Sequence, residues 1–156
     1  MIDHISMRVT DIERAAEFYA AALAPLGYEV VMRFPGYVGL GAGGKPDFWL
    51  TATDKAINPT HIAFACDRST VTAFHAAAVA AGGTDNGAPG PRADYHPNYF
   101  GAFILDFDGN NVEAVCHAPA KAAAKSASKA KPKAKPKAKA KRAAPPRAKA
   151  KAKKRR

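Results

Sequence analysis

The sequence predicts an α+β body of two βαβββ modules forming a partly open eight-stranded barrel, followed by a disordered basic tail. Three observations carry this. DHISM at 3–7 recurs as THIAF at 60–64, and AEFYAAAL at 16–23 recurs as TAFHAAAV at 72–79, a period of about 57 residues. The segments between alternate between strand-like and helix-like hydrophobic periods. All 13 acidic residues lie within 1–120 beside only 7 basic ones, so that region carries a net charge of −6 and the last 36 residues +17. The expected boundaries are 1–57 and 58–118 for the modules and 119–156 for the tail.

In the first module Ile2 to Val9 alternates as a strand does. Thr10 followed by Glu13 predicts a capping box opening a helix over 11–24, with Ile12, Ala15, Ala16, Phe18, Tyr19 and Leu23 facing the core. Leu26-Gly27 stops it. YEVVMRF, YVGLGA and DFWLTA then supply three short strands, separated by Pro35-Gly36 and by Gly43-Gly44-Lys45-Pro46. The second module repeats the order: HIAFAC, a helix over 69–81, a Gly82-Gly83 stop, and strands near 84–88, 99–106 and 111–117. Asp108-Gly109-Asn110 suits a hairpin turn, because Gly and Asn tolerate positive φ. A calcium loop on Asp106, Asp108 and Asn110 would need the 12-residue ligand spacing of an EF-hand, which is absent.

A body of this length can bury a core without staples. Cys66 and Cys116 lie in apolar strand-like runs without CxxC spacing, as small buried hydrophobes in a reducing compartment do. The sequence opens MIDHISMRV rather than with a secretory leader, and no apolar run reaches the roughly 20 residues a bilayer span requires. The expected location is cytoplasmic, with nucleoid association through the tail.

Strand alternation separates the faces. Ile5, Met7 and Val9 suit packing on the helix, which turns His4, Ser6 and Arg8 the other way; Ile62, Phe64 and Cys66 do the same for His61, Ala63 and Ala65. His4 and His61 thus hold the same place in the two repeats. In the last strand Glu113 shares a face with Asn111, Val115 and His117. Singly, each of these is an ordinary structural residue; together, two imidazoles and a carboxylate from three strands form the ligand set of a facial triad. One divalent ion, Zn, Fe, Mn, Ni or Co, is chemically acceptable there.

The repeated module, DHI near the start, HIAF at 61–64 and FILDFDGNNVEAV at 103–115 resemble the vicinal oxygen chelate superfamily, which includes glyoxalase I, extradiol dioxygenases and bleomycin-resistance proteins. The resemblance covers residues 1–118 and is more specific for fold than for reaction. It implies paired modules around a divalent metal, with ligands at His4, His61 and Glu113, a small vicinally oxygenated substrate, and a homodimer. The glyoxalase I pattern adds a glutamate on the last strand of the first module. This sequence has Trp49 at the nearest position, where the indole would wall the cavity beside Asp47 and Thr51, or else pack in the core. The departure counts against the glyoxalase I reaction and leaves a metal-dependent lyase or isomerase, or an extradiol-type dioxygenase. The alternatives are a bleomycin-resistance-like small-ligand binder without catalysis and a nucleoid-associated DNA-binding protein.

The segment ADYHPNYFG at 93–101 supplies the candidate acid-base groups, His96 and Tyr99, in a polar loop before a core strand. Arg92 is a candidate anion binder, while His75 and His117 suit structural or solvent-facing roles. Residues 121–156 hold 17 Lys/Arg, 13 Ala, 4 Pro and 2 Ser, a composition that cannot bury enough apolar surface to offset ordering entropy. KAKPKAKPKAKAK resembles linker-histone tails. Dense lysine without aromatics favours nonspecific contact with a nucleic-acid backbone over base reading; a solubilising tail is the plainer alternative.

Overall fold

The computed structural model describes residues 2–55 and 57–120. Module 1 runs β1 (Ile5–Val9), α1 (Ile12–Leu23), a short 3₁₀ turn (Ala24–Leu26), β2 (Tyr28–Phe34), β3 (Tyr37–Ala42) and β4 (Phe48–Ala52); module 2 runs β5 (His61–Ala65), α2 (Arg68–Ala80), β6 (Thr84–Pro91), β7 (Phe100–Leu105) and β8 (Asn111–Cys116). The repeat therefore holds element by element. The expected disorder of the tail concerns residues outside the described set.

Each module forms one four-stranded sheet, in the order β1-β4-β3-β2 and β5-β8-β7-β6. The first strand of each pairs parallel with the last, Ile5 opposite Phe48 and His61 opposite Asn111, and the other pairs are antiparallel. A parallel pair needs a crossover, which the helix provides.

Both helices open on aspartates. Asp11 accepts from the Arg14 amide at 3.1 Å and Asp67 from the Thr70 amide at 2.8 Å. The expected Thr10 cap is thus corrected: the Thr10 hydroxyl and amide both bond Asp108, in the β7–β8 turn of the other module. That turn forms as expected, with Gly109 at φ 82°. Asp106 is buried at its base and accepts from the Asp108 and Asn110 amides, the Asn110 side chain and the Tyr19 hydroxyl. Four donors on one carboxylate explain a buried charge that needs no cation. Burial and Asp106 together push the Tyr19 phenol far above its ordinary range, so it remains a donor.

One core joins the modules. Phe48 of β4 and Phe64 of β5 meet edge to face with ring centroids 5.5 Å apart, Tyr19 reaches Phe48 at 5.1 Å, and Tyr28 reaches Phe64 at 5.5 Å. The expected barrel is present only in part: the eight strands form two separate, open four-stranded sheets, whose helix-covered faces meet at these rings, with α1 packed against α2.

Candidate metal-ligating site

The uncovered face of sheet 2 gathers the titratable groups. Register places Ala63, Glu113 and Phe103 in one row across β5, β8 and β7, with His61 and Asn111 in the next hydrogen-bonded row. Glu113 is 2% exposed, although it lies on the uncovered face, because its neighbours wall it in. The Tyr99 hydroxyl donates to Oε1 at 2.5 Å, and His61 Nε2 lies 3.3 Å from Oε2. Phe103 stacks beside the imidazole at 6.4 Å, with the Arg92 guanidinium 5.5 Å from the same ring. Burial, then the Glu113 contact, pushes the Tyr99 phenol up to about 12, so it serves as a donor that fixes one carboxylate oxygen.

The second imidazole nitrogen decides the chemistry. His61 Nδ1 lies 3.0 Å from the Asn111 carbonyl oxygen, which can only accept, so Nδ1 carries the ring proton. In the neutral ring Nε2 is then a lone pair facing a carboxylate oxygen. Two acceptors at that separation call for a cation between them, either a second ring proton or a metal ion. A carbonyl-anchored imidazole beside a phenol-anchored carboxylate is also how metal-binding side chains are commonly oriented. The residues present therefore fit two positions of a metal site.

The third expected ligand is not part of this group. His4 precedes β1 on the other sheet, exposed, with Nδ1 2.9 Å from Asp3. Asp3 is held down at about 2, first by that bond and then by Lys45. Among the described residues, no group of three or more His, Cys, Asp or Glu side chains is arranged to hold a metal ion. The chain brings together His61, Glu113 and Tyr99 and leaves His4 apart. His96 reaches the group only at second hand: its ring lies 6.0 Å from His117, which lies 5.0 Å from Tyr99. The loop bearing His96 and Tyr99 is closed by Arg92 and Tyr99 bonding through their backbones and is braced by Arg68, whose guanidinium bonds the Asn98 and Ala118 carbonyls. His75 binds Asp85 at 3.0 Å, in keeping with a structural role. Cys116 is buried and Cys66 half-buried, with burial and then Asp67 pushing the Cys66 thiol up to about 11, so neither is a ready nucleophile.

Two residues escaped the sequence reading. Phe103 forms the wall beside His61, a fact that the β7–β8 register alone reveals. Gly101 makes room: a Cβ there would sit 2.9 Å from Glu113 Oε1 and 3.1 Å from the Tyr99 ring.

The uncovered face of sheet 1 is different in kind. Ser6, Trp49, Gly39 and Met32 share one row and Arg8, Thr51, Tyr37 and Phe34 the next. Trp49 lies on this face, as strand alternation favoured, and its ring stacks on Phe34 with centroids 6.5 Å apart and planes 14° from parallel. The position where the glyoxalase I pattern has a carboxylate thus presents an indole.

Paired βαβββ modules with an uncovered His–Glu face define a class, and comparison with known proteins agrees: the chain belongs to the Glyoxalase/Bleomycin resistance protein/Dioxygenase superfamily, whose family model matches residues 1–114. Among solved structures it is similar to a glyoxalase/bleomycin resistance protein from Albidiferax ferrireducens T118, at 27% identity and a TM-score of 0.63 over 73% of this chain and 97% of that one. A glyoxalase/bleomycin resistance protein/dioxygenase family enzyme from Burkholderia phytofirmans PsJN shares the fold at 20% identity and a TM-score of 0.60, over 75% and 98% of the two chains. So does a variant of the fosfomycin resistance protein FosX from Listeria monocytogenes, complexed with Mn(II) and 1S,2S-dihydroxypropylphosphonic acid, at 19% identity and 0.57, over 73% and 87%. No curated protein matches the chain.

Proposed function

We propose that this protein is a metal-dependent enzyme, a lyase, isomerase or extradiol-type dioxygenase, acting on a small vicinally oxygenated molecule at a site completed by a second copy of the chain. The observation that carries the reading is His61 Nε2 facing Glu113 Oε2 with its own proton committed to the Asn111 carbonyl. Those two atoms supply two ligands. His4 of a second copy supplies the third when the uncovered face of sheet 1 in one copy lies against sheet 2 of the other, an arrangement that a two-fold axis repeats to give two equal sites.

Support for such pairing comes from the apolar side chains that sheet 1 leaves outside. Met32, Phe34 and Tyr37 are 44%, 55% and 50% exposed on neighbouring rows, a patch that soluble monomers seldom leave open. A divalent ion at the site supplies Lewis-acid polarisation of two adjacent substrate oxygens. Tyr99 holds Glu113 in its ligating orientation, and the buried surroundings of Glu113 keep bulk water from competing for the carboxylate. His96, one ring further out, is the proton-transfer candidate toward a substrate held at the mouth.

Metal content by mass spectrometry on untagged protein tests this. One ion per chain is expected in the wild type, none in Glu113→Ala or His61→Ala, and none in His4→Ala if the second copy completes the site. Full metal in the His61 variant would refute the assignment. A metal-free ligand-binding role, favoured by the lack of a three-ligand group among the described residues, is the reading left if reconstitution fails.

The composition of residues 121–156 supports a further role as a nonspecific nucleic-acid tether with nucleoid association. If about 10 charges engage duplex DNA, log K falls with log salt at a slope of about −9. Deleting 121–156 should abolish this binding and leave metal content unchanged. No helix among the described residues is long and apolar enough to cross a membrane.

A further inference from the structure

We infer that the uncovered face of sheet 1 is a recognition surface for a planar aromatic acid, and that this is the substrate class of the site. The inference rests on the reading that sheet 1 walls the cavity over His61 and Glu113.

Three features of the face converge. The Trp49 indole lies over Gly39, where an added Cβ would sit 3.0 Å from the edge of its six-membered ring and from Pro46. The side-chain-free backbone thus makes room for the indole, and the Phe34 ring stacks nearly parallel to it with centroids 6.5 Å apart. Such a two-ring floor attracts another flat π-system through offset stacking, and Tyr37, in the same row as Phe34, gives it an aromatic border.

The second feature is charge. Arg8 is exposed on this face, in the row of Thr51, Tyr37 and Phe34, and has no ion-pair partner among the described residues. Its neighbours Ser6 and Thr51 share a hydroxyl–hydroxyl bond of 2.7 Å, which leaves the pair one hydrogen to donate. A guanidinium with a hydroxyl donor beside an aromatic floor suits a carboxylate attached to a ring. The third feature is access: Phe34 and Tyr37 are 55% and 50% exposed, so their rings are open to a flat body.

Trp49 is the sole tryptophan of the chain, so its emission reports on this face alone. Titrating the full chain with benzoate, cyclohexanecarboxylate and benzyl alcohol separates the ring from the charge. Benzoate should change the emission saturably and bind at least about fivefold more tightly than either comparison compound. Phe34→Leu, which keeps apolar bulk and loses the π-face, should erase the preference over cyclohexanecarboxylate; Arg8→Gln should erase the preference over benzyl alcohol. Phe34 is more than half exposed, and an unchanged melting temperature will confirm that the variants fold. Equal response to all three compounds, or none because the face is packed dry against a second copy, would overturn the inference. Repeating the titration with His61→Ala keeps the two readings apart: benzoate binding that persists there while metal is lost upholds both, and metal content that survives leaves only the aromatic floor standing.

Discussion

The two modules share a fold and divide the chemistry. On the uncovered face of module 2 stand an imidazole, a buried carboxylate and the phenol that anchors it; on that of module 1 stand an indole, a phenylalanine and an exposed guanidinium. The same row that carries Glu113 in β8 carries Trp49 in β4. Repetition of a backbone therefore fixes where a side chain projects without fixing its type, and in this chain one copy of the module carries an imidazole–carboxylate pair and the other an aromatic pair beside a guanidinium.

The sharpest way to break that contrast is to move against Glu113. Glu113→Ala should take metal content from one ion to none, whereas Trp49→Leu should leave it unchanged. Tyr99→Phe removes the anchor and keeps the ligand, so metal affinity should fall about 10- to 100-fold rather than vanish, measured by competition with a chromogenic chelator. Equal metal affinity in Tyr99→Phe would mean that the phenol bond is incidental.

Next come the glycines beneath each feature. Gly101→Ala drives a methyl group against Glu113 and Tyr99 and should destabilise the chain by about 1–3 kcal/mol by thermal melting. Gly39→Ala meets only the edge of the indole and Pro46 side chains; it should shift Trp49 emission and leave metal content alone. If the Gly39 variant lost metal and the Gly101 variant kept it, the division of labour would be reversed.

A smaller effect tests what joins the modules. Tyr19→Phe takes one donor from Asp106, which retains its three bonds within the turn, and should cost about 2 kcal/mol, a melting shift of several degrees. The smallest concerns acid. Bonds from Ser69 and then Thr70 hold Asp67 at about 2, below its ordinary 3.8. A carboxylate depressed on folding lends stability that is complete above its unfolded value and is lost as pH falls through the folded one. The melting-temperature advantage of wild type over Asp67→Asn should therefore shrink between pH 4 and pH 2 and stay level above that window.

Much of this was legible before any coordinates. The repeat and the two hydrophobic periods gave every strand and both helices, and alternation assigned His61, Glu113 and Trp49 to uncovered faces because a strand permits only two. Thr10 misled for a physical reason: Thr10 and Asp11 are both competent caps, and the partner that captures Thr10, Asp108, is 98 residues away. Gly101 and Phe103 stayed hidden because their importance depends on exact register across β7 and β8, and alternation assigns a residue to a face without assigning its cross-strand partner. How the two sheets meet was the least legible part. Periodicity says which side of each sheet meets a helix; it does not say how two sheets sit against each other, which here rests on ring contacts such as Phe48 against Phe64.

The parallel pairing of each module's first strand with its last has a consequence in time. Ile5 must wait for Phe48, and His61 for Asn111, before either has a neighbour. At a synthesis rate of about 5–20 residues per second, the forty to fifty residues between them take on the order of 2–10 seconds to arrive. During each interval a nascent strand edge and one half of the aromatic core are open to the cell, and the first module, once closed, still lacks Phe64 to cover Tyr28 and Phe48. The newborn chain is therefore at its stickiest midway through translation, when a chaperone or a second nascent copy has the best opportunity to engage it.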